Sequence, residues 1–201
     1  MRLATAGLFC AKWTDAIHDE WIRNVLAERP ELEAYLQRTR RLMDRAVPDC
    51  RVEGYEPLID TNSRGLCTRF RSPKSPQYGG HVFWKACIRC SNWYEGLELP
   101  DASDRHVLAA AIRAGAQAII THNLRDFPPE ALSPFGIEAL HPDTFVLQQM
   151  ELHEAAVVET ARKHRAALVN PPKAVDAYLD TLAAQGLVAS ADRLWEFSES
   201  L

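Results

Sequence analysis

The stretch "LPDASDRHVLAAAIRAGAQAIITHNLRDF", residues 99–127, decides how this chain folds. Its alanine-rich middle predicts a helix over residues 104–114. Gly115 then stands where helices commonly end in a left-handed residue. The apolar run "AQAIIT" that follows predicts a strand, and "HNLRDF" a loop. Aspartates bracket the unit: Asp101 and Asp104 open the helix, and Asp126 lies five residues past Thr121, the strand's end. In a parallel sheet, sites form outside the carboxyl ends of the strands. The start of a crossover helix and the end of the strand after it can share that edge.

Working outward, strands and helices alternate. Upstream, residues 1–47 read as helices. Thr14 is placed to cap one whose apolar positions Ile17, Trp21, Val25 and Leu26 recur at helical spacing. Pro30 ends it or opens the next, in which Leu32, Leu36 and Met43 lie on roughly one face. "CRVEGY" at 50–55 and "FGIEAL" at 135–140 are further strand candidates, and "HPDTFVLQQM" starts another helix. From about residue 152 the pattern is helical only, over 154–168, 173–185 and 189–197, with "NPP" at 170–172 as a break. Strands alternating with helices imply a parallel sheet covered on both faces. The organisation expected is an α/β domain over residues 1–150, interrupted by an insertion at 60–95, and a helical extension over 151–201.

Composition narrows the function. The chain has 201 residues, 47% of them hydrophobic, enough for a sizeable core. Its formal net charge of -4 argues against gripping nucleic acid through bulk positive charge. No apolar run approaches the roughly 20 residues that span a bilayer. The opening "MRLATAGLFCAKW" has too little charge to read as an export signal. Five scattered cysteines (Cys10, Cys50, Cys67, Cys87 and Cys90) make no disulfide framework, so a reducing cytoplasm is expected.

Carboxylates gathered at one sheet edge suit phosphodiester hydrolysis, in which one or two Mg²⁺ or Mn²⁺ ions activate water and neutralise charge on the phosphate. Such hard cations take oxygen ligands. The residues alone also allow a plainer reading. Asp101 or Ser103 can cap the helix through its exposed amides, and Asp126 can cap the turn at Phe127. His106 and His122 are candidate ligands as well, although lone histidines near strand ends are more often solvated or hydrogen-bonded.

The stretch resembles the third and fourth acidic motifs of PIN-domain ribonucleases, specifically the toxin half of VapBC-type toxin–antitoxin pairs. Upstream, "AGLFCAKWTDAIHDEWIRNVL" resembles the segment carrying that family's second acidic residue. Downstream, "FGIEALHPDTFV" resembles its last strand and helix, and the tail with "NPP" resembles a C-terminal extension of one subfamily. The resemblance implies a three-layer α/β/α fold with a parallel sheet. It also implies metal-dependent endonucleolytic cleavage of RNA, a small antitoxin as partner, and dimerisation. Residue by residue, Glu20 matches the helix-borne glutamate, placed between Ile17 and Trp21 toward the buried face. Asp104 matches the aspartate before the alanine-rich helix, with Asp101 auxiliary. Asp126 matches the acid of the turn, and Thr121 and Asn123 match the polar pair that positions water or that acid. Glu20, Asp101, Asp104 and Asp126 are then the expected ligands of Mg²⁺ or Mn²⁺.

The pattern departs from the family in two places. PIN domains begin with a buried strand ending in an aspartate. Here "MRLATAG" looks like the helix after it, which leads to the expectation of a start upstream of Met1 or of a decayed gene. The insertion carries "CIRC" with Cys67 and His81 nearby, a strand-like "HVFWKACI", and arginines and lysines interleaved with Phe70, Tyr78 and Trp84. Three readings stay open: an active ribonuclease, a non-cleaving remnant that binds an antitoxin-like partner, and a zinc-dependent nucleic-acid-binding module built on the insertion.

Overall fold

The structure, a computed structural model, describes residues 1–59 and 97–201. The expectations placed on the insertion, its zinc pair, its strand and its RNA-contacting basic residues, lie outside the described residues.

The amino-terminal region is helical, as its periodicity predicts. After a short α1 (Arg2–Thr5), Thr14 caps α2 (Asp15–Glu28), its hydroxyl accepting from the Ile17 amide at 3.1 Å. A 3₁₀ turn opened by Pro30 leads into α3 (Glu33–Ala46). The two helices are tied by a buried polar chain. Trp21 Nε1 donates to His18 Nδ1 at 2.9 Å, and His18 Nε2 meets Asp44 Oδ1 at 3.0 Å. Trp13 Nε1 donates to the same oxygen at 2.8 Å. His18 is only 1% exposed, tolerable because both ring nitrogens are engaged. The strand expected at 50–55 is reduced to one parallel bridge, Trp13 with Arg51, closed by Trp13 N to Cys50 O and Val52 N to Trp13 O.

The decisive stretch folds as its pattern predicts. Helix α4 (Arg105–Ala114) ends at Gly115, whose φ of 63° is the left-handed conformation. Strand β1 (Ala118–Ile120) follows, then a 3₁₀ turn over Leu124–Asp126, a short α5 (Pro129–Leu132) and β2 (Glu138–Leu140). The strands pair in parallel with Ala118 opposite Glu138, and Thr121 N extends the ladder to Leu140 O. Leu108, Ala111, Ile119, Phe127, Leu132 and Ile137 form the core between helix and sheet. Ala109 and Ala110, with almost no exposed surface, let residues 52–55 approach α4 closely.

Helices alone follow. In α6 (Pro142–Ala166) the helical path breaks at His153, with φ −146° and ψ 51°, where the sequence places a boundary between two helices. Helices α7 (Val175–Ala184) and α8 (Val188–Trp195) pack on it around Met150, Val157, Tyr178, Leu179 and Leu194. Leu3 and Leu8 join this core from the amino terminus. The described residues are thus mostly helical, with a two-stranded parallel sheet. None of their helices is long and apolar enough to cross a membrane.

Candidate functional site

The carboxyl ends of β1 and β2 and the start of α4 present the site, because a parallel ladder sends both strands to the same edge. Past β1, the Thr121 hydroxyl accepts from the Asn123 amide at 3.1 Å. The Asn123 side-chain amide in turn donates to Asp126 Oδ2. Thr121 and Asn123 therefore fix the turn that carries Asp126.

Asp101 and Asp104 enter from the turn before α4. Asp101 Oδ1 accepts from the Ser103 amide at 2.8 Å and its hydroxyl at 2.7 Å, so it caps that turn. These donors hold its carboxyl below the usual range. Asp104 makes no such cap bond. Partial burial pushes its carboxyl up, and so do the negative charges of Glu20, Asp101 and Asp126, with His106 offsetting in part. Three acids, spread along the chain from Glu20 to Asp126, thus act electrostatically on the Asp104 carboxyl.

Glu20 departs from its expected position. The buried line of α2 runs through His18 and Ile22, and Glu20 sits on the flank, its side chain 36% exposed. It opens instead onto a shallow cleft of about 330 Å³, shared with Ala16, Asp19, Arg23, Ser103 and His106. Asp19 is paired with Arg40 at 2.6 Å, while Glu20 Oε2 faces His106 Nε2 at 3.4 Å. His106 donates from Nδ1 to the Ser103 carbonyl at 2.7 Å, and its Nε2 is buried without a hydrogen-bond partner. Sequence alone favours the plainer reading of His106, as a solvated or hydrogen-bonded side chain. Its placement on the first turn of α4, two residues past Asp104, is the signal that puts it in the cleft. His122 is exposed and hydrogen-bonded, 3.1 Å from His141 across the strand ends.

The donor chemistry suits a hard divalent cation, being carboxylate oxygens crowded enough to raise the proton affinity of Asp104. A buried nitrogen without a hydrogen-bond partner, His106 Nε2, faces Glu20 among them. Among the described residues no three histidine, cysteine, aspartate or glutamate side chains stand within joint bonding reach of one ion. Holding one would require these side chains to move closer together.

Comparison with known proteins adds to this geometry. Residues 142–196, the region of α6 to α8, match the family described as the VapC50 C-terminal domain. The chain is also 45% identical, over 94 residues, to "Putative ribonuclease VapC50" of Mycobacterium tuberculosis (strain ATCC 25618 / H37Rv). That match covers 46% of this chain and 56% of the relative, so the chain spans little more than half of the relative's length. No solved structure matches the chain. Both matches agree with the resemblance read from the motifs: over part of its length the chain is similar to a VapC50 C-terminal domain and to a protein named as a VapC50 ribonuclease.

Proposed function

We propose that this chain is a metal-dependent endoribonuclease, the toxin of a toxin–antitoxin pair, acting at the acidic edge. The observation that carries the reading is the convergence of Glu20, Asp101 and Asp126 on Asp104. Among the described residues Asp104 forms no salt bridge, and His106 offsets its charged surroundings only in part. The VapC50 similarity supports the reaction class. The three-layer α/β/α arrangement, the cytoplasmic setting, a cognate antitoxin and a homodimer belong to the same proposal. So does the division into a domain of residues 1–150, with its insertion, and a helical extension.

In this reading Glu20, Asp104 and Asp126 hold Mg²⁺ or Mn²⁺, with Asp101 in support. The bound ion supplies activation of water at neutral pH and neutralises charge on the phosphate in the transition state. The chain's own residues do the rest. Asn123 holds Asp126 in place, and Thr121 holds the turn, so that this acid is fixed before substrate arrives. Arg23, on the rim of the cleft, offers a positive charge to the RNA backbone that the carboxylates would otherwise repel.

The test is cleavage of a mixed RNA pool by the purified chain in Mg²⁺, Mn²⁺ or EDTA. Metal-dependent cleavage, reduced at least about a hundredfold by Asp104→Asn, is expected for a residue that binds the catalytic ion. Cleavage in EDTA, or equal cleavage by the variant, contradicts the proposal. A folded chain that binds RNA or an antitoxin without cutting points to the remnant reading instead.

A further inference from the structure

One side chain in the cleft buries a ring nitrogen that makes no hydrogen bond. The partner of His106 Nδ1, 2.7 Å away, is the Ser103 carbonyl, which can only accept. Nδ1 therefore carries the hydrogen, and in the neutral ring Nε2 presents a lone pair. That atom is buried and has no hydrogen-bond partner. It faces Glu20 Oε2, also an acceptor, at 3.4 Å. In the neutral ring the buried Nε2 and the partly exposed Glu20 carboxylate are two acceptors facing one another, which a proton or a shared cation relieves.

We propose that His106 Nε2 and the Glu20 carboxylate are joint ligands of the divalent cation, making the site a mixed nitrogen–oxygen one that favours Mn²⁺ over Mg²⁺. The proposal rests on the metal-dependent reading above and adds a ligand to it. Three features support it. The two atoms are close enough for both to reach one ion at about 2.1 Å each. The Nδ1 to backbone-carbonyl bond is the outer contact that fixes ring and tautomer in metal-ligating histidines. And an imidazole nitrogen suits Mn²⁺ and later first-row ions better than Mg²⁺, which keeps to oxygen.

The other histidine pair of this edge lacks that arrangement. His141 Nδ1 accepts from the Asp143 amide at 3.2 Å, so the neutral ring keeps its hydrogen on Nε2, the atom facing His122. Binding metal there would cost the bond that caps α6. His106 has no such conflict.

The experiment is pulsed electron paramagnetic resonance on the full chain loaded with Mn²⁺, read for ¹⁴N coupling from a bound imidazole. Titration calorimetry with Mn²⁺ and with Mg²⁺ runs beside it. His106→Asn can keep a donor near Nδ1 while deleting Nε2, and circular dichroism checks its fold. The expected result is ¹⁴N coupling in the wild type that His106→Asn abolishes. Mn²⁺ affinity should fall at least about tenfold, and Mg²⁺ affinity much less. Mn²⁺ bound without ¹⁴N coupling, or coupling that survives in the variant, overturns the assignment of His106 and leaves the carboxylate site intact. That result would make the contact with Glu20 an ordinary ion pair. A wild type that binds no Mn²⁺ overturns both readings. If His106→Asn does not fold, His106→Gln takes its place, and the wild-type spectrum alone still decides whether nitrogen binds the ion.

Discussion

At the scale of the residue, Asp104 pays for its position. Its carboxyl is raised by partial burial and by Glu20, Asp101 and Asp126, so the folded chain holds its proton more tightly than the unfolded chain does. Ionisation of this group therefore opposes folding. The opposition is absent below the ordinary value of 3.8, grows as pH rises through the raised value, and is complete at neutrality. Asp104→Asn should raise the melting temperature of the metal-free chain at pH 7 by about 1–3 °C, a small figure because solvent screens the group. The gain should shrink as the wild type is taken to acid pH. Thermal unfolding across a pH series checks this, and a variant less stable than wild type at pH 7 would mean that Asp104 makes a favourable contact instead. Residue type and spacing were enough to single out Asp104. They also place His106 on the first turn of α4, but its role depends on which of its nitrogens the Ser103 carbonyl engages.

At the scale of the element, one carboxylate joins two helices. Asp143, in the first turn of α6, accepts from the Ser190 amide at 2.8 Å, the Ala189 amide at 2.9 Å and the Ser190 hydroxyl at 2.5 Å. It thereby satisfies the amides at the start of α8, which lack helical partners of their own. Burial pushes its carboxyl up, but the Ser190 hydroxyl and the two amides outweigh this and hold it below the usual range. Asp143→Ala should cost about 1.5–3 kcal/mol in urea unfolding near pH 7. The stabilisation is present above the ordinary value of 3.8 and is lost as pH falls through the lowered one, so variant and wild type should converge in acid. A variant as stable as wild type at neutral pH would contradict the joint. Sequence periodicity reveals the helices on either side, and even the interruption of α6 near His153. It cannot reveal a cap supplied from 47 residues away. The expected strand at 50–55 fails for a related reason: strands exist by pairing, and there only Trp13 pairs with Arg51.

At the scale of the whole molecule, a short parallel sheet brings distant acids to one edge while a separate helical core packs behind it. The helix–glycine–strand order of residues 104–121 made that edge legible, since a parallel crossover returns the next strand's end to where the helix began. The depth of Glu20 was not legible. Helical spacing puts it beside Ile17 and Trp21, but the polar chain through His18 turns α2 so that His18 and Ile22 face inward and Glu20 faces the cleft. The resulting site concentrates negative charge that His106 offsets only in part, and a divalent ion is the partner proposed for it. The most direct test is calorimetric titration of the metal-free chain with Mn²⁺, beside Asp104→Asn. Saturable binding to the wild type, weakened at least about tenfold in the variant, is the predicted result. Equal binding by both, or none by the wild type, would contradict the claim that these carboxylates form a metal site.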